Sequence, residues 1–213
     1  KNIIRLDANE VAQLIDNIES GEKLTKQQKV WHDRNKLRDL AIVVTLLGTG
    51  VRVTELVGLD ISDLDFDNGA MRVIRKGGNE DIVYFGEEVE EMLRNYLDER
   101  MKMTPAPGHE NALFLSLQNR RMAVRSVENL VKKYASRVTT LKKITPHKLR
   151  STYGTELYKE TGDIYLVADV LGHKDVNTTR KHYAALEEQR RKQAANAFHL
   201  REHSGRHSEH PDS

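Results

Sequence analysis

Apolar residues in this chain recur at helical spacing over most of its length, and a different pattern interrupts them only once. In DANEVAQLIDNI, an Asp and a Glu with the spacing of a capping box precede one apolar face, formed by Val11, Leu14, Ile15 and Ile18. The segments MRVIR (71–75) and DIVYF (81–85) are rich in β-branched and large apolar residues instead. A Gly-Gly turn between them predicts a hairpin. The sequence therefore predicts a mainly α chain with a small antiparallel β-sheet, an α+β fold.

Further helices are predicted on both sides of this hairpin. RDLAIVVTLLGTG is predicted to be a buried helix that ends at Gly48 and Gly50, and VRVTELVGL a short helix that ends at Gly58. Later helices are predicted at 87–101, 126–135, 146–160, 163–171 and beyond Thr178. The polar segment 21–33 is predicted to be a surface excursion between the first two helices.

The composition limits the classes of protein to consider. With 213 residues, 38% of them hydrophobic, the chain can bury one good core. It contains no Cys, which excludes disulfides, a thiolate nucleophile and a zinc knuckle. No apolar run reaches the ~18–20 residues of a membrane span, and no signal-peptide pattern opens the chain. We therefore expect a cytoplasmic location, no membrane partner and, because the first residue is Lys, a piece excised from a longer protein.

The charge is nearly balanced overall but unevenly distributed. The chain has 34 basic and 32 acidic side chains, a formal net charge of +2. From Arg120 to Arg201 there are 18 basic and 8 acidic side chains, which leaves 16 basic and 24 acidic ones elsewhere. A basic C-terminal half is typical of nucleic-acid binding, and solvated helix faces give the same pattern.

Two short motifs contain residues that could bind a phosphate. Arg52 lies in the first turn of a helix, where a cation is disfavoured by about 0.3–1 kcal/mol unless an anion binds there. Glu55 could orient this guanidinium, although an ordinary surface ion pair has the same spacing. In TPHKLRSTYG, His147 and Arg150 share one helix face, which suits proton transfer beside a phosphate, but such pairs also occur by chance.

A third motif, LGHKDVNTTRKHYA, places His173 and Tyr183 among cations. The phenol there is either part of a solvated surface or a nucleophile for a phosphate.

Three alternating carboxylates, Asp63, Asp65 and Asp67, imitate a calcium-binding loop. The Gly and the final Glu that such a loop requires are misplaced, so a turn that leads into the hairpin fits better. No metal site and no other cofactor site is predicted.

A resemblance to a known family emerges when the motifs are taken in order. The chain resembles the catalytic domain of tyrosine recombinases, the phage-integrase and Xer family, through GTGVRVTELVGL, RKGGNEDIVYF, TPHKLRSTYGTEL and LGHKDVNTTRKHYA. The resemblance extends from about Arg5 to about Ala185 and implies the fold of that domain. It implies six catalytic residues, Arg52, Lys76, His147, Arg150, His173 and Tyr183, with Glu55 as a support for the first arginine.

This sequence departs from the family pattern in two places. Ser151 stands where many members have a second His, at a position that is not one of the six. The spacing from His173 to Tyr183 is one residue longer than in many members, so His182 is given no role.

The resemblance also implies a reaction. Tyr183 would attack a phosphodiester of double-stranded DNA to give a 3′-phosphotyrosine and a free 5′-hydroxyl, without metal or ATP. His147 would assist removal of the phenolic proton, and Lys76 would protonate the leaving oxygen as the general acid. Members of the family act as homotetramers on DNA, whereas this fragment alone is expected to be a monomer.

The domain organisation follows from the same resemblance. Residues 1–200 are expected to form the catalytic domain, with a helix at about 186–200 that docks on a neighbouring protomer. Residues 201–213 are expected to be a disordered tail, and the N-terminal core-binding domain of the family is expected to lie outside this chain.

Several biological roles share this chemistry. Integration or excision of a mobile element is the favoured role, and a Xer-like chromosome-dimer resolvase is the main alternative. A type IB topoisomerase would use the same intermediate. A DNA-binding accessory protein could keep the fold without the activity, but the presence of all six residues argues against it.

Overall fold

The computed structural model describes residues 3–201. Two helices come first in the chain, α1 (Ala8–Ser20) and α2 (Lys26–Thr49). Asp7 caps α1, and its side chain accepts from the backbone of Glu10, which confirms the predicted capping box. Leu14 and Ile18 are buried, as their helical spacing predicted. The C-terminal half of α2 lies in the centre of the core, because its residues are apolar on every side.

The predicted surface excursion at 21–33 is only partly correct. Thr25 forms a second capping box with Gln28, so α2 begins at Lys26 inside the polar segment. The ring of His32 is buried, and its Nε2 lies 2.5 Å from the carbonyl oxygen of Ile18. A capping signal within polar residues therefore started a helix that the search for apolar periodicity missed.

A small sheet follows the short helix α3 (Val53–Val57). Strands β1 (Leu64–Asp65), β2 (Ala70–Ile74) and β3 (Glu80–Tyr84) are antiparallel in the order β1-β2-β3. The β2–β3 hairpin confirms the prediction, whereas β1 is too short to leave a pattern in the sequence. Of the three carboxylates before β2, Asp63 ends a short 3-10 helix, Asp65 ends β1 and Asp67 lies in the turn that leads into β2. Asp65 accepts hydrogen bonds from Asn68 in this turn.

Six further helices complete the chain as far as residue 201. They are α4 (Glu87–Arg100), α5 (Val124–Ala135), α6 (Pro146–Thr161), α7 (Ile164–Leu171), α8 (Val176–His182) and α9 (Ala184–Ala194). The predicted mainly α fold with a small antiparallel sheet is therefore confirmed. Helix α9 is shorter than the helix expected at 186–200, and residues 202–213 of the expected tail lie outside the described part of the chain. Between residues 3 and 201, no helix has the length and apolarity needed to cross a membrane.

The core consists of one large apolar cluster and a smaller one, and α6 contributes to both. α1, α4 and α6 pack against α2 in the large cluster, to which α6 contributes Leu149. The smaller cluster lies between α6, α7 and α8 and contains Tyr158, Ile164, Val167, Leu171 and Tyr183. Of the predicted functional residues, Tyr183 belongs to this smaller cluster.

One buried polar network joins α2 to α5. The hydroxyl of Tyr134 donates a hydrogen bond of 2.8 Å to Oδ2 of Asp39, whose carboxylate is 1% exposed. Arg38 pairs with the other carboxylate oxygen at 3.1 Å. Burial and the neighbouring Asp39 raise the pKa of Tyr134, so the phenol remains a donor.

We expect Tyr134→Phe to destabilise the fold, because it removes a hydrogen bond to a buried carboxylate. The expected loss in the free energy of unfolding is about 1.5–3 kcal/mol, measured by urea denaturation. Tyr84→Phe is the matched control, since Tyr84 is 71% exposed. Equal stabilities of the two variants would contradict the structural role of the Tyr134–Asp39 pair.

Candidate active site

The first site arginine lies at the junction of α2 and α3. α2 ends at Gly50, which adopts the left-handed conformation (φ 69°), and the chain then turns into α3. The backbone N–H of Arg52 donates to Oε1 of Glu55 at 2.8 Å, and its guanidinium lies 3.4 Å from Oε2. Glu55 is 4% exposed. The carboxylate is therefore a buried support for Arg52 rather than half of a surface ion pair.

The second arginine, Arg150, is buried on α6. Thr145 caps this helix and Pro146 occupies its first turn, as predicted. The guanidinium of Arg150 donates to the carbonyl oxygens of Gly50 at 2.5 Å and Leu171 at 2.6 Å. It thereby ties α6 to the ends of α2 and α7. Burial and the neighbouring Arg52 lower the pKa of Arg150 to about 10, which leaves it protonated at neutral pH.

His173 follows the left-handed Gly172 that ends α7. Its Nε2 lies 3.4 Å from Nη2 of Arg150, and its Nδ1 lies 2.5 Å from the hydroxyl of Thr179. Because a guanidinium can only donate, Nε2 is the acceptor and Nδ1 carries the proton. Burial and then Arg150 lower the pKa of His173 to about 4, so the imidazole is neutral at pH 7.

Two more imidazoles lie near Arg150. His147 is in the first turn of α6, and its ring centroid lies 6.5 Å from that of His182, at the end of α8. Partial burial, followed by Lys148 and Arg150, lowers the pKa of His147. Partial burial and His147 lower the pKa of His182. The sequence analysis assigns no role to His182, but the fold brings its ring close to that of His147.

Tyr183 lies next to His182 and is 1% exposed. Its ring stacks on Tyr158 at 6.3 Å and meets the ring of His182 edge-on at 4.7 Å. A side chain at Gly154 would overlap the phenolic oxygen, so this position of the ring requires a residue without Cβ. Burial raises the pKa of Tyr183 to about 12, although Arg150 acts in the opposite direction. In this conformation the phenol is retracted and protonated.

Lys76 is the predicted residue that lies apart from the others. It begins the turn between β2 and β3, where Gly77 and Gly78 have positive φ values of 83° and 80°. Its side chain is exposed and makes no hydrogen bond or ion pair with any residue between 3 and 201. The preceding residue, Arg75, is buried and pairs with Glu55.

The sequence analysis missed Arg75, although a signal for it was present. Residues alternate between the two faces of β2, and Met71, Val73 and Arg75 fall on the buried face. A cation at such a position requires a buried partner, which here is Glu55.

The fold brings two arginines and several imidazoles close together. Arg150 binds the carbonyl of Gly50 at the end of α2, and Arg52 binds the carboxylate of Glu55 in α3. Besides burial, both arginines lower the pKa values of His147 and His173. Guanidinium groups suit the oxygens of a phosphate, and neutral imidazoles can accept or donate a proton. Within residues 3–201, no three His, Asp or Glu side chains converge as they would around a metal ion.

Known proteins share both the sequence and the fold. The sequence model of the phage integrase family matches residues 4–190. Tyrosine recombinase XerC of Corynebacterium glutamicum is 40% identical over 165 residues, which are 78% of this chain and 52% of that protein. Tyrosine recombinase XerD of Staphylococcus haemolyticus is 34% identical over 196 residues, 92% of this chain and 62% of that one. The chain thus spans about half to three fifths of the length of these relatives.

Solved structures agree with these relatives. The XerA recombinase superposes with a TM-score of 0.74 at 30% identity, over 92% of this chain and 66% of that one. The XerH recombinase in its post-cleavage complex shares the fold with a TM-score of 0.73 at 22% identity, over 92% of this chain and 54% of that one. The predicted fold is therefore confirmed, and the chain belongs to the phage integrase family as a tyrosine recombinase catalytic domain.

Proposed function

We propose that this chain is the catalytic part of a site-specific DNA recombinase that cleaves and rejoins strands through a 3′-phosphotyrosine. One observation carries the proposal: two arginines and three imidazoles lie close together, and one of these imidazoles contacts a buried tyrosine. The membership of the family, whose curated relatives are named tyrosine recombinases, supports the same chemistry.

The arginines bind the scissile phosphate. Arg52 has a side chain that is 40% exposed and a carboxylate behind it, so its guanidinium is open to a ligand. Arg150 is fixed by two carbonyl oxygens, so binding requires little reorganisation. Charge that is fixed in advance stabilises the extra negative charge of a pentacoordinate phosphorane, usually the largest catalytic contribution.

Tyr183 supplies the nucleophile after a local movement. Its phenol is retracted in this structure, and helix α8 must shift to bring the oxygen to the phosphorus. The side chain would then leave a dry environment, which removes the cause of its raised pKa. His147, neutral at pH 7, accepts the phenolic proton as the new P–O bond forms.

The leaving group departs at the opposite side of the phosphorus. The bond to the 5′-oxygen breaks, and Lys76 donates a proton to that oxygen, which gives a free 5′-hydroxyl. The turn at Lys76 allows this role, because the exposed side chain and two left-handed glycines let it reach outward. Attack by the 5′-hydroxyl of a second strand reverses the same steps, and the phosphotyrosine conserves the bond energy without ATP.

The DNA partner and the assembly are proposed on the same basis. The basic surplus between Arg120 and Arg201 favours duplex DNA as the partner. The similar XerH recombinase and Tn1549 transposon integrase were solved as complexes with DNA. We also propose a homotetramer on two DNA sites, a monomer in solution and a cytoplasmic location.

The biological role has two candidates. Integration or excision of a mobile element is supported by the structural similarity to the Tn1549 integrase, with a TM-score of 0.65. A Xer-like resolvase is supported by the curated relatives XerC and XerD. The sequence of the DNA that the protein cleaves would distinguish an element end from a chromosomal site.

We expect Tyr183→Phe to abolish covalent adducts and leave DNA affinity nearly unchanged, because only the nucleophilic oxygen is lost. The substrate is a pool of nicked duplexes with randomised sequence, and SDS-resistant adducts are captured and sequenced. Tyr84→Phe is the control, since Tyr84 is exposed on the sheet.

Two results would contradict the assignment of Tyr183. One is adduct formation by Tyr183→Phe, with peptide mapping to Tyr153 or Tyr158. The other is a strict need for magnesium in the wild type, because arginines are proposed to neutralise the phosphate and cleavage should therefore survive EDTA.

Lys76→Ala is expected to slow cleavage by ~10²–10⁴-fold, because an alkoxide is a poor leaving group without a positioned acid. A substrate with sulfur in place of the bridging 5′-oxygen needs no proton, so the variant should recover most of its rate on it. Arg150→Ala should recover far less. Equal defects of Lys76→Ala on the two substrates would show that the lysine holds the phosphate instead.

We propose that α9 is exchanged between protomers on DNA. In the monomer it packs on its own α6: Leu186 lies on the small cluster, and Arg190 stacks over Tyr158 at 5.5 Å and donates to the carbonyl of Lys159. The helix is exposed on its other side, and no residue of α9 is buried. These contacts are few enough to be replaced by those of a neighbour.

Truncation after Ala185 should therefore leave single-site DNA binding intact and reduce cooperative assembly in a gel-shift titration on a captured duplex. Truncation after Arg201 is the control, because it retains all of α9. Unchanged cooperativity after the first truncation would contradict the exchange.

A further inference from the structure

A buried arginine lies directly before Lys76. Arg75 is 8% exposed and follows β2 on its inward face, where the other residues are apolar. A guanidinium in such a place is costly unless its N–H groups are paired. Arg75 therefore needs a set of acceptors that the fold must provide.

Those acceptors come from three separate parts of the fold. Nε donates to Asp81 on β3 at 2.9 Å. Nη1 donates to the two carboxylate oxygens of Glu55 at 3.2 and 3.3 Å and lies 3.4 Å from the carbonyl oxygen of Leu171. Nη2 donates to the carbonyl oxygen of Val170 at 3.1 Å. One side chain thus connects the hairpin, α3 and the end of α7.

Two of these acceptors, Glu55 and the carbonyl of Leu171, also bind the two arginines assigned to the phosphate. Glu55 binds the backbone and guanidinium of Arg52, and the carbonyl of Leu171 accepts from Arg150 at 2.6 Å. Gly172, which follows, has a φ of 74°, and a side chain there would overlap the guanidinium of Arg75. The glycine at position 172 therefore leaves the room that the close approach of Arg75 requires.

The backbone of Arg75 closes the turn that carries Lys76. Its N–H donates to the carbonyl of Asn79 at 2.7 Å, and its carbonyl accepts from the N–H of Gly78 at 3.1 Å. The Lys76 side chain makes no hydrogen bond or ion pair with the residues that the structure describes, whereas Arg75 attaches the base of this turn to the body of the domain.

We infer that Arg75 is a positioning residue, which fixes the turn of Lys76 against Glu55 and the end of α7. The guanidinium sets the distance between the general acid and the two arginines that hold the phosphate. This inference rests on the proposed function, because it concerns where Lys76 stands during cleavage.

The test compares Arg75→Lys with Arg72→Lys in single-turnover adduct formation at saturating protein. Both changes keep the charge and remove the forked guanidinium. Arg72 differs from Arg75 because its side chain points outward, is 44% exposed and pairs with Asp63 and Glu80. Lysine at 75 cannot reach acceptors in three directions. We expect Arg75→Lys to cleave about 10²-fold more slowly, and Arg72→Lys to stay within about threefold of the wild type.

Two readouts separate positioning from stability. On the sulfur-bridged substrate the defect of Arg75→Lys should shrink by at least about tenfold, because Lys76 is then dispensable. In a Lys76→Ala background the Arg75→Lys change should cost little more, because the two changes disable one function. Asp81→Ala, which removes only the acceptor on β3, should give a smaller loss with the same preference for sulfur.

The outcomes are decisive in each direction. Equal rates for Arg75→Lys and Arg72→Lys, or equal defects on the oxygen and sulfur substrates, would overturn the inference. A fall in melting temperature large enough to account for the lost rate would also overturn it and leave Arg75 a stabilising residue. If the wild type itself forms no adduct, the proposed function fails instead.

Discussion

The guanidinium of Arg150 is the contact on which the rest of the site depends. It joins the carbonyl at the end of α2 to the carbonyl at the end of α7, two segments that the sequence separates by more than half of the chain. These carbonyls belong to helix ends, where backbone oxygens have no partner within their own helix. A buried cation therefore satisfies two helix ends and is itself held still. Arg52 and His173 follow these two ends, so their positions depend on this contact.

The same region concentrates positive charge at the cost of stability. Arg52, Arg75 and Arg150 lie close together, and within the described residues Glu55 is the buried carboxylate that they share. Such a cluster stabilises a fold poorly, since each charge loses hydration on burial. The same incomplete neutralisation favours the binding of an anion, as proposed for the phosphate. The neutral imidazoles of His147 and His173, whose pKa values are lowered, keep the cluster from becoming still more positive.

Tyr183 is buried in this structure and must move before it can act as the proposed nucleophile. The phenol fills the small cluster between α6 and α8, where Tyr158 stacks on it and Gly154 leaves room for its oxygen. This packing stabilises the domain and keeps the phenol protonated. In the proposed reaction this apolar contact would be given up, and the binding of DNA would compensate for its loss. Helix α8 has seven residues and few buried ones, which makes it a suitable moving part.

The sequence by itself determined the local features: the capping boxes, the hairpin, the helix periods and the family motifs that contain Arg52, His147, Arg150, His173 and Tyr183. These depend on neighbours within a few residues, so a linear pattern is enough to reveal them. The tertiary structure decided the rest. Only the packing of α6, α7 and α8 buries Tyr183 and brings His182 beside His147. Arg75 shows the reason most clearly, because its acceptors lie 20 and about 95 residues away in the chain, and no local pattern can specify contacts at such separations.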